Sequence, residues 1–287
     1  MTTTFSRAVL PQGTARHLLP AAGLLALCLP GGALAASSGM GSEYLSTGEY
    51  AEPNVLFLID LSPDMADPCD SASTDPCIDV VTDALSKITQ HYDWARYGVV
   101  GTAATVSDDG YTKIAPIGAT AAEIDTALAS VSTTSDNVRN FAEVLEKLGQ
   151  SYFPITTSPD NVDDDGDGIV ADWSEAPMIY DCQTTHVIVI GRNRPQGDNQ
   201  VTGTWSTTIS PDITCDSAGI TTDGSDTLCD YDNVVYKLYS SDLSTTLSGT
   251  NNVTVHTVGI DIGSTTVAEA LYGNASDVTG GAGVYNV

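Results

Sequence analysis

Basic side chains are scarce in this sequence. Ten Lys and Arg stand against 37 Asp and Glu, and the formal net charge of the 287 residues is −27. Such a field repels nucleic acid and anionic lipid, and it attracts divalent cations. Histidine is equally thin, at four residues. His17 precedes an apolar run, His91 falls at a helix end, and His186 and His256 sit in strand patterns where core roles are expected. No H-E-x-x-H, G-x-S-x-G, C-x-x-C or phosphate-cradling glycine loop occurs, so the sequence predicts no enzyme and no zinc site.

Long apolar runs are also missing after residue 35. Before it, Arg7, Arg16 and His17 lead into "LLPAAGLLALCLPGGALA", which ends in Ala33-Leu34-Ala35. A basic region, a short broken apolar region and an A-x-A site predict a secretory signal over 1–35, cut before Ala36. An uncleaved anchor is the competing reading, but Pro and Gly make this run poor for spanning. Cys28 raises a lipoprotein reading, which Leu27 disfavours. Cleavage leaves eight basic and 37 acidic residues, a net charge of −29. The expectation is an exported chain with no membrane span after cleavage, periplasmic, at the cell surface or pilus-associated.

Five cysteines follow the signal: Cys69, Cys77, Cys182, Cys215 and Cys229. In an oxidising compartment Cys69 and Cys77 are a natural local disulfide, worth about 2–3 kcal/mol by loop-closure entropy. Cys215 with Cys229 would close the next-shortest loop, which sequence alone leaves open, as it does the partner of Cys182.

After a Ser/Gly/Thr-rich lead-in at 36–52, strand and helix patterns alternate through 53–287. Strands are expected at 55–59, 97–100, "GYTKIAPIG" as an edge, 186–191, 252–261 and the closing "VYNV". Helical spacing covers Ile78–Ile88, a capping box opens at Thr120-Ala-Ala-Glu123, and further helices are expected at 141–152, 234–243 and 265–272. Continuous apolar strands between amphipathic helices predict an α/β, doubly wound, mostly parallel sheet with helices on both faces. Two inserts interrupt it, an acidic one at about 158–176 and a Gly/Thr/Asp-rich one at about 196–231.

The chemistry concentrates in "PNVLFLIDLSPDMADPCD" (53–70), where a buried strand delivers Asp60, Ser62 and Asp64 at its carboxyl end, the ligand-binding end of such sheets. This D-x-S-x-D loop resembles the metal-ion-dependent adhesion site of von Willebrand factor type A domains. "FAEVLEKLGQSYF", "DCQTTHVIVI", "YDNVVYKLYSSDLSTTLSGTNNVTVHTVGIDI" and "GNASDVTGGAGVYNV" further resemble the N-terminal half of the PilY family of type IV pilus tip adhesins and assembly factors. That resemblance implies a von Willebrand A-like fold, a protein partner such as a pilus subunit or surface receptor, and a role in adhesion or pilus assembly. The family usually continues into a C-terminal β-propeller, whose functions do not transfer to this chain.

Two departures stand out. Where the family has a metal-binding Thr, this chain has Arg139; where it has a distal Asp, this chain has Arg192. Close carboxylates repel by about 4 kcal/mol at 4 Å in a partly desolvated cleft, and guanidinium groups can offset this as a metal does. The expectation is that Arg139 and Arg192 take the metal's place as ion-pair partners of Asp60 and Asp64. The competing readings are arginines turned to solvent, or Mg²⁺ retained at the adhesion-site position.

"PDNVDDDGDGIVADWSE" (159–175) is a second cation candidate, because Ca²⁺ takes six to eight oxygens from Gly-kinked acidic loops. One register uses Asn161, Asp163, Asp165, Gly166 and Asp172. The other, which resembles extracellular calcium repeats with one residue inserted, uses Asp163, Asp165, Asp167, Asp172 and Glu175. A solvated acidic loop is the alternative. The function expected is therefore an adhesion or assembly module with a degenerate adhesion site and a structural calcium loop. Its alternative is a calcium-stabilised structural domain of a pilus tip or surface with no ligand-binding metal.

Overall fold

The computed structural model describes residues 51–69, 74–102, 110–135, 139–156, 172–181, 183–192, 201, 205, 230–260 and 284–286. The signal reading at 1–35, most of the lead-in, the helix expected at 265–272, and Asp163, Asp165, Asp167, Cys182, Cys215 and Cys229 lie outside the described residues.

Strand β1 (Asn54–Ile59) is buried along its whole length, as its unbroken apolar sequence requires. It pairs in parallel with β2 (Arg96–Gly101) on one side and β4 (Thr185–Arg192) on the other. β3 (Thr112–Ala115) closes one edge antiparallel to β2. β5 (Val253–Ile260) pairs in parallel with β4, and β6 (Val284–Asn286) with β5. The order is β3-β2-β1-β4-β5-β6, so chain connections leave β1 and β4 in opposite directions. That divergence opens a crevice above their carboxyl ends.

Alternate side chains of β1 serve two separate cores. Val55, Phe57 and Ile59 pack with α1 (Cys77–His91) and α2 (Ala121–Leu128). Leu56 and Leu58 join Val187, Val189, Val253 and Val255 under α3 (Phe141–Lys147) and α4 (Asp230–Ser240). Each buried aliphatic side chain contributes about 1.5–3 kcal/mol relative to exposure. The sheet is thus covered on both faces, the doubly wound arrangement expected.

Local chemistry sets the helix ends. Thr120 and Glu123 form the capping box: Glu123 N–H donates to Thr120 Oγ1 (3.3 Å) and Thr120 N–H to Glu123 Oε2 (2.6 Å). The helix expected over 141–152 changes character after Lys147 into a wide π turn, Leu148–Tyr152. A Cβ at Gly149 would lie 2.3 Å from the Trp205 ring and 2.8 Å from Leu238, so the glycine admits both groups where the turn widens. α4 starts earlier and stops sooner than expected. Leu243 N–H bonds the Asn251 carbonyl (2.9 Å) and Asn252 Nδ2 donates to the Tyr239 carbonyl (2.5 Å), drawing the chain out of the helix. Cys69 and Cys77 form a disulfide that ties the loop after β1 to the first turn of α1. Among the described residues no helix is long and apolar enough to cross a membrane.

Candidate functional site

Asp60 follows the last residue of β1 and is fully buried. Its main-chain N–H continues the ladder to Ile190 O (2.9 Å), which fixes the carboxylate over the β1–β4 crevice. Two main-chain donors reach that carboxylate: Ser62 N–H to Oδ1 at 2.8 Å, and Arg192 N–H to Oδ2 at 3.3 Å. Burial raises the Asp60 pKa above the ordinary 3.8, and these hydrogen bonds with the Arg139 charge work against that rise.

The loop itself is clamped from two neighbours. Leu61 N–H donates to Thr102 Oγ1 (2.9 Å), while Leu61 O accepts from Thr134 N–H (2.6 Å) and Thr134 Oγ1 (3.1 Å). Neither threonine stands out in the sequence, because a main-chain clamp leaves no motif. A short 3₁₀ turn, Pro63–Ala66, then carries Asp64, with Met65 packed into the core beneath it.

Both arginines converge on Asp64. Arg139 Nη1 lies 2.5 Å from Asp64 Oδ2, and its side chain is only 5% exposed. Arg192 Nη1 donates to the Asp64 carbonyl (2.9 Å) while its own N–H serves Asp60. Asp60, Ser62, Asp64, Arg139 and Arg192 are therefore one cluster. The two arginines hold it differently. Arg139 forms a side-chain ion pair, whereas Arg192 bonds the Asp64 carbonyl through its guanidinium and the Asp60 carboxylate through its main-chain N–H.

The donor set can be tested against a divalent ion. The Ser62 hydroxyl is enclosed beside the Asp60 carboxylate, whose ionised form it favours, and such an oxygen would also suit a cation. Against this, an ion between Asp60 and Asp64 would share Asp64 with a guanidinium already seated on it. Like charges this close repel even with Asp64 partly exposed to solvent. With Arg139 in this position the residues do not fit a metal. Among the described residues no group of three or more His, Cys, Asp or Glu side chains could hold one.

Of the acidic insert, Asp172 and Glu175 are described. They form a tight turn in which Ser174 N–H donates to Asp172 Oδ1 (3.0 Å) and Asp172 N–H to Glu175 Oε2 (3.2 Å). His186 and His256 face each other across β4 and β5, Nδ1 to Nε2 at 3.2 Å. Desolvation lowers the pKa of both, and for His186 the charge of His256 adds to the effect.

No family model matches the chain, and no curated protein does. Solved structures do. BatB from Bacteroides thetaiotaomicron aligns over 82% of this chain and 90% of its own at 12% identity, TM-score 0.42. A D319A mutant of the PilB minor pilin from Streptococcus sanguinis aligns over 84% and 58% at 9% identity, TM-score 0.48. The von Willebrand factor domain of the type V pili tip protein Mfa5 from Porphyromonas gingivalis aligns over 83% and 90% at 10% identity, TM-score 0.41. The strand order, the antiparallel β3 edge and the two-sided helical cover are consistent with a von Willebrand A-like α/β fold.

Proposed function

We propose that this chain is an exported adhesion or assembly module, pilus- or surface-associated, that binds a protein partner through the loops above the carboxyl edge of its sheet. It works there without an adhesion-site metal, because Arg139 supplies the positive charge. The observation that carries the reading is the buried Arg139 guanidinium paired with Asp64 beside the enclosed Asp60. In place of an exchangeable ion, the cleft holds a covalently attached cation that chelators cannot remove. The PilY-like segments support the pilus setting. The acidic insert adds a structural Ca²⁺ loop in this reading, with Asp163, Asp165 and Asp167 joined by Asp172 and Glu175. No catalytic role is assigned.

A second reading is favoured by one feature. Asp60 and Arg139 are enclosed, so the cluster presents little for a ligand to grasp. This suits a calcium-stabilised structural domain that packs against other surface or pilus-tip subunits and holds no ligand ion.

Sheared surface fractions probed with an antibody to the chain, with and without EDTA, test the first reading. Its recovery with pilus or surface proteins, unaffected by the chelator, is expected. Loss of association on chelation, restored by Mg²⁺, would return the site to a metal-dependent one. Binding of the purified protein to cells separates an adhesin from a packing domain.

A further inference from the structure

Three histidines follow residue 35, and two of them meet. His186 is the second residue of β4 and His256 the fourth of β5, and the parallel register sets Ile188 beside His256. Side chains alternate along a strand, so both rings stand on the α1 face of the sheet with Ile188, Ile190, Val258 and Ile260. His186 Nδ1 and His256 Nε2 are 3.2 Å apart, the ring centroids 5.3 Å apart, and the planes are tilted by 41°. Among the described residues each ring has the other as its one hydrogen-bond partner. Both are half-buried, so solvent still reaches the pair.

As packing alone, this pair is costly. A branched apolar residue, like those above it, would cover the sheet without desolvating two polar rings. What two histidines offer instead is ligand geometry. Imidazole nitrogens about 2.0–2.1 Å from one ion, in adjacent positions of a tetragonal or tetrahedral shell, lie about 2.9–3.4 Å apart. The observed 3.2 Å falls inside that range, and a small turn of each ring brings both lone pairs onto a common point. Desolvation lowers both pKa values below the ordinary 6.5, which leaves the rings neutral at pH 7 and able to bind an ion. The hydrogen that bridges the two nitrogens moves to the other nitrogen of its own ring, so no further proton has to leave. No third His, Cys, Asp or Glu among the described residues joins them. The shell is therefore open, unlike the closed four-ligand shell of a structural site. The acidic field of the chain draws cations towards it.

We propose that this pair is an exchangeable site for a divalent transition-metal ion, Cu²⁺ above Zn²⁺, with His186 Nδ1 and His256 Nε2 as adjacent ligands and water in the remaining positions. The site lies on the α1 face of β4 and β5, and Asp60 lies above the carboxyl end of β1. It stands or falls independently of the arginine-plugged cluster.

Cu²⁺ titrated calorimetrically into the purified protein, with millimolar Ca²⁺ present to occupy carboxylates, tests this. One saturable site per chain is expected, and the pulsed electron paramagnetic resonance spectrum of the one-to-one sample should show two imidazole nitrogens. His186→Gln and His256→Gln should each weaken the site roughly 10- to 100-fold, the range seen even for losing an outer-shell partner, and leave one such nitrogen. His91→Gln, which alters an exposed helix end, should change nothing. The spectrum of the parent needs no variant, so the test survives a substitution that unfolds the sheet. Absence of saturable one-to-one binding, fewer than two imidazole nitrogens in the parent, unchanged affinity in either strand variant, or an equal loss in His91→Gln would each overturn the proposal.

Discussion

Arg139 is the residue on which the upper cluster turns, and its removal leaves two neighbouring carboxylates without their buried cation. Breaking a buried pair by deleting one partner costs about 3–5 kcal/mol. Asp64 is 34% exposed, which screens part of that loss, so about 1–3 kcal/mol is the expected range for Arg139→Met. The variant should also gain what the parent lacks. Millimolar Mg²⁺ is expected to raise its melting midpoint and leave the parent's unchanged at equal ionic strength. A parent that responds to Mg²⁺, with that response lost in Asp60→Ala, would sink the plug. Much of this is legible in the sequence. A buried strand running into Asp60, Ser62 and Asp64 marks the loop, and two arginines among so few basic residues fall where the resemblance places metal ligands. The Arg192 N–H on Asp60 and the Thr134 clamp on Leu61 are not legible, because each bond has a main-chain group at one end and leaves no sequence motif.

Two neighbouring strands carry the clearest pH dependence. His186 on β4 and His256 on β5 both have pKa values below the ordinary 6.5. The unfolded chain binds protons first as pH falls, so their contribution is fully present above 6.5 and is lost as pH drops through the folded pKa values. The melting midpoint should therefore fall below pH 6.5, and His256→Gln should flatten that part of the profile. An unchanged profile in the variant would show that other groups set it. The loop before α1 offers a second test. Reduction of Cys69–Cys77, or Cys69→Ser with Cys77→Ser, should remove about 2–3 kcal/mol, read as a lower denaturant midpoint with unchanged slope. At this scale the sequence speaks clearly wherever pattern is local. The Thr120 cap and the continuous apolar runs of β1 and β4 follow directly from residue order. The π turn after Lys147 does not, because it depends on Trp205 and Leu238 reaching Gly149 from distant parts of the chain.

For the whole molecule, a net charge of −27 makes self-repulsion a general tax on the folded state, and any salt relieves it. A rise in stability with added calcium chloride therefore proves nothing until screening is separated from coordination. Coordination needs particular oxygens, whereas screening needs only ionic strength. With ionic strength held constant by NaCl, Ca²⁺ should raise the melting midpoint above Mg²⁺, and EDTA should abolish that excess. The share specific to Ca²⁺ should vanish in Asp165→Asn with Asp167→Asn, while the response to NaCl persists almost unchanged. Both halves of this outcome are needed. A variant that loses the NaCl response as well has lost structure, and equal midpoints in Ca²⁺ and Mg²⁺ would leave the acidic insert as a solvated loop. In the proposed reading Arg139 takes the place of an ion above β1, and a Ca²⁺ response confined to the insert would then show that the two acidic regions meet their excess charge by different means.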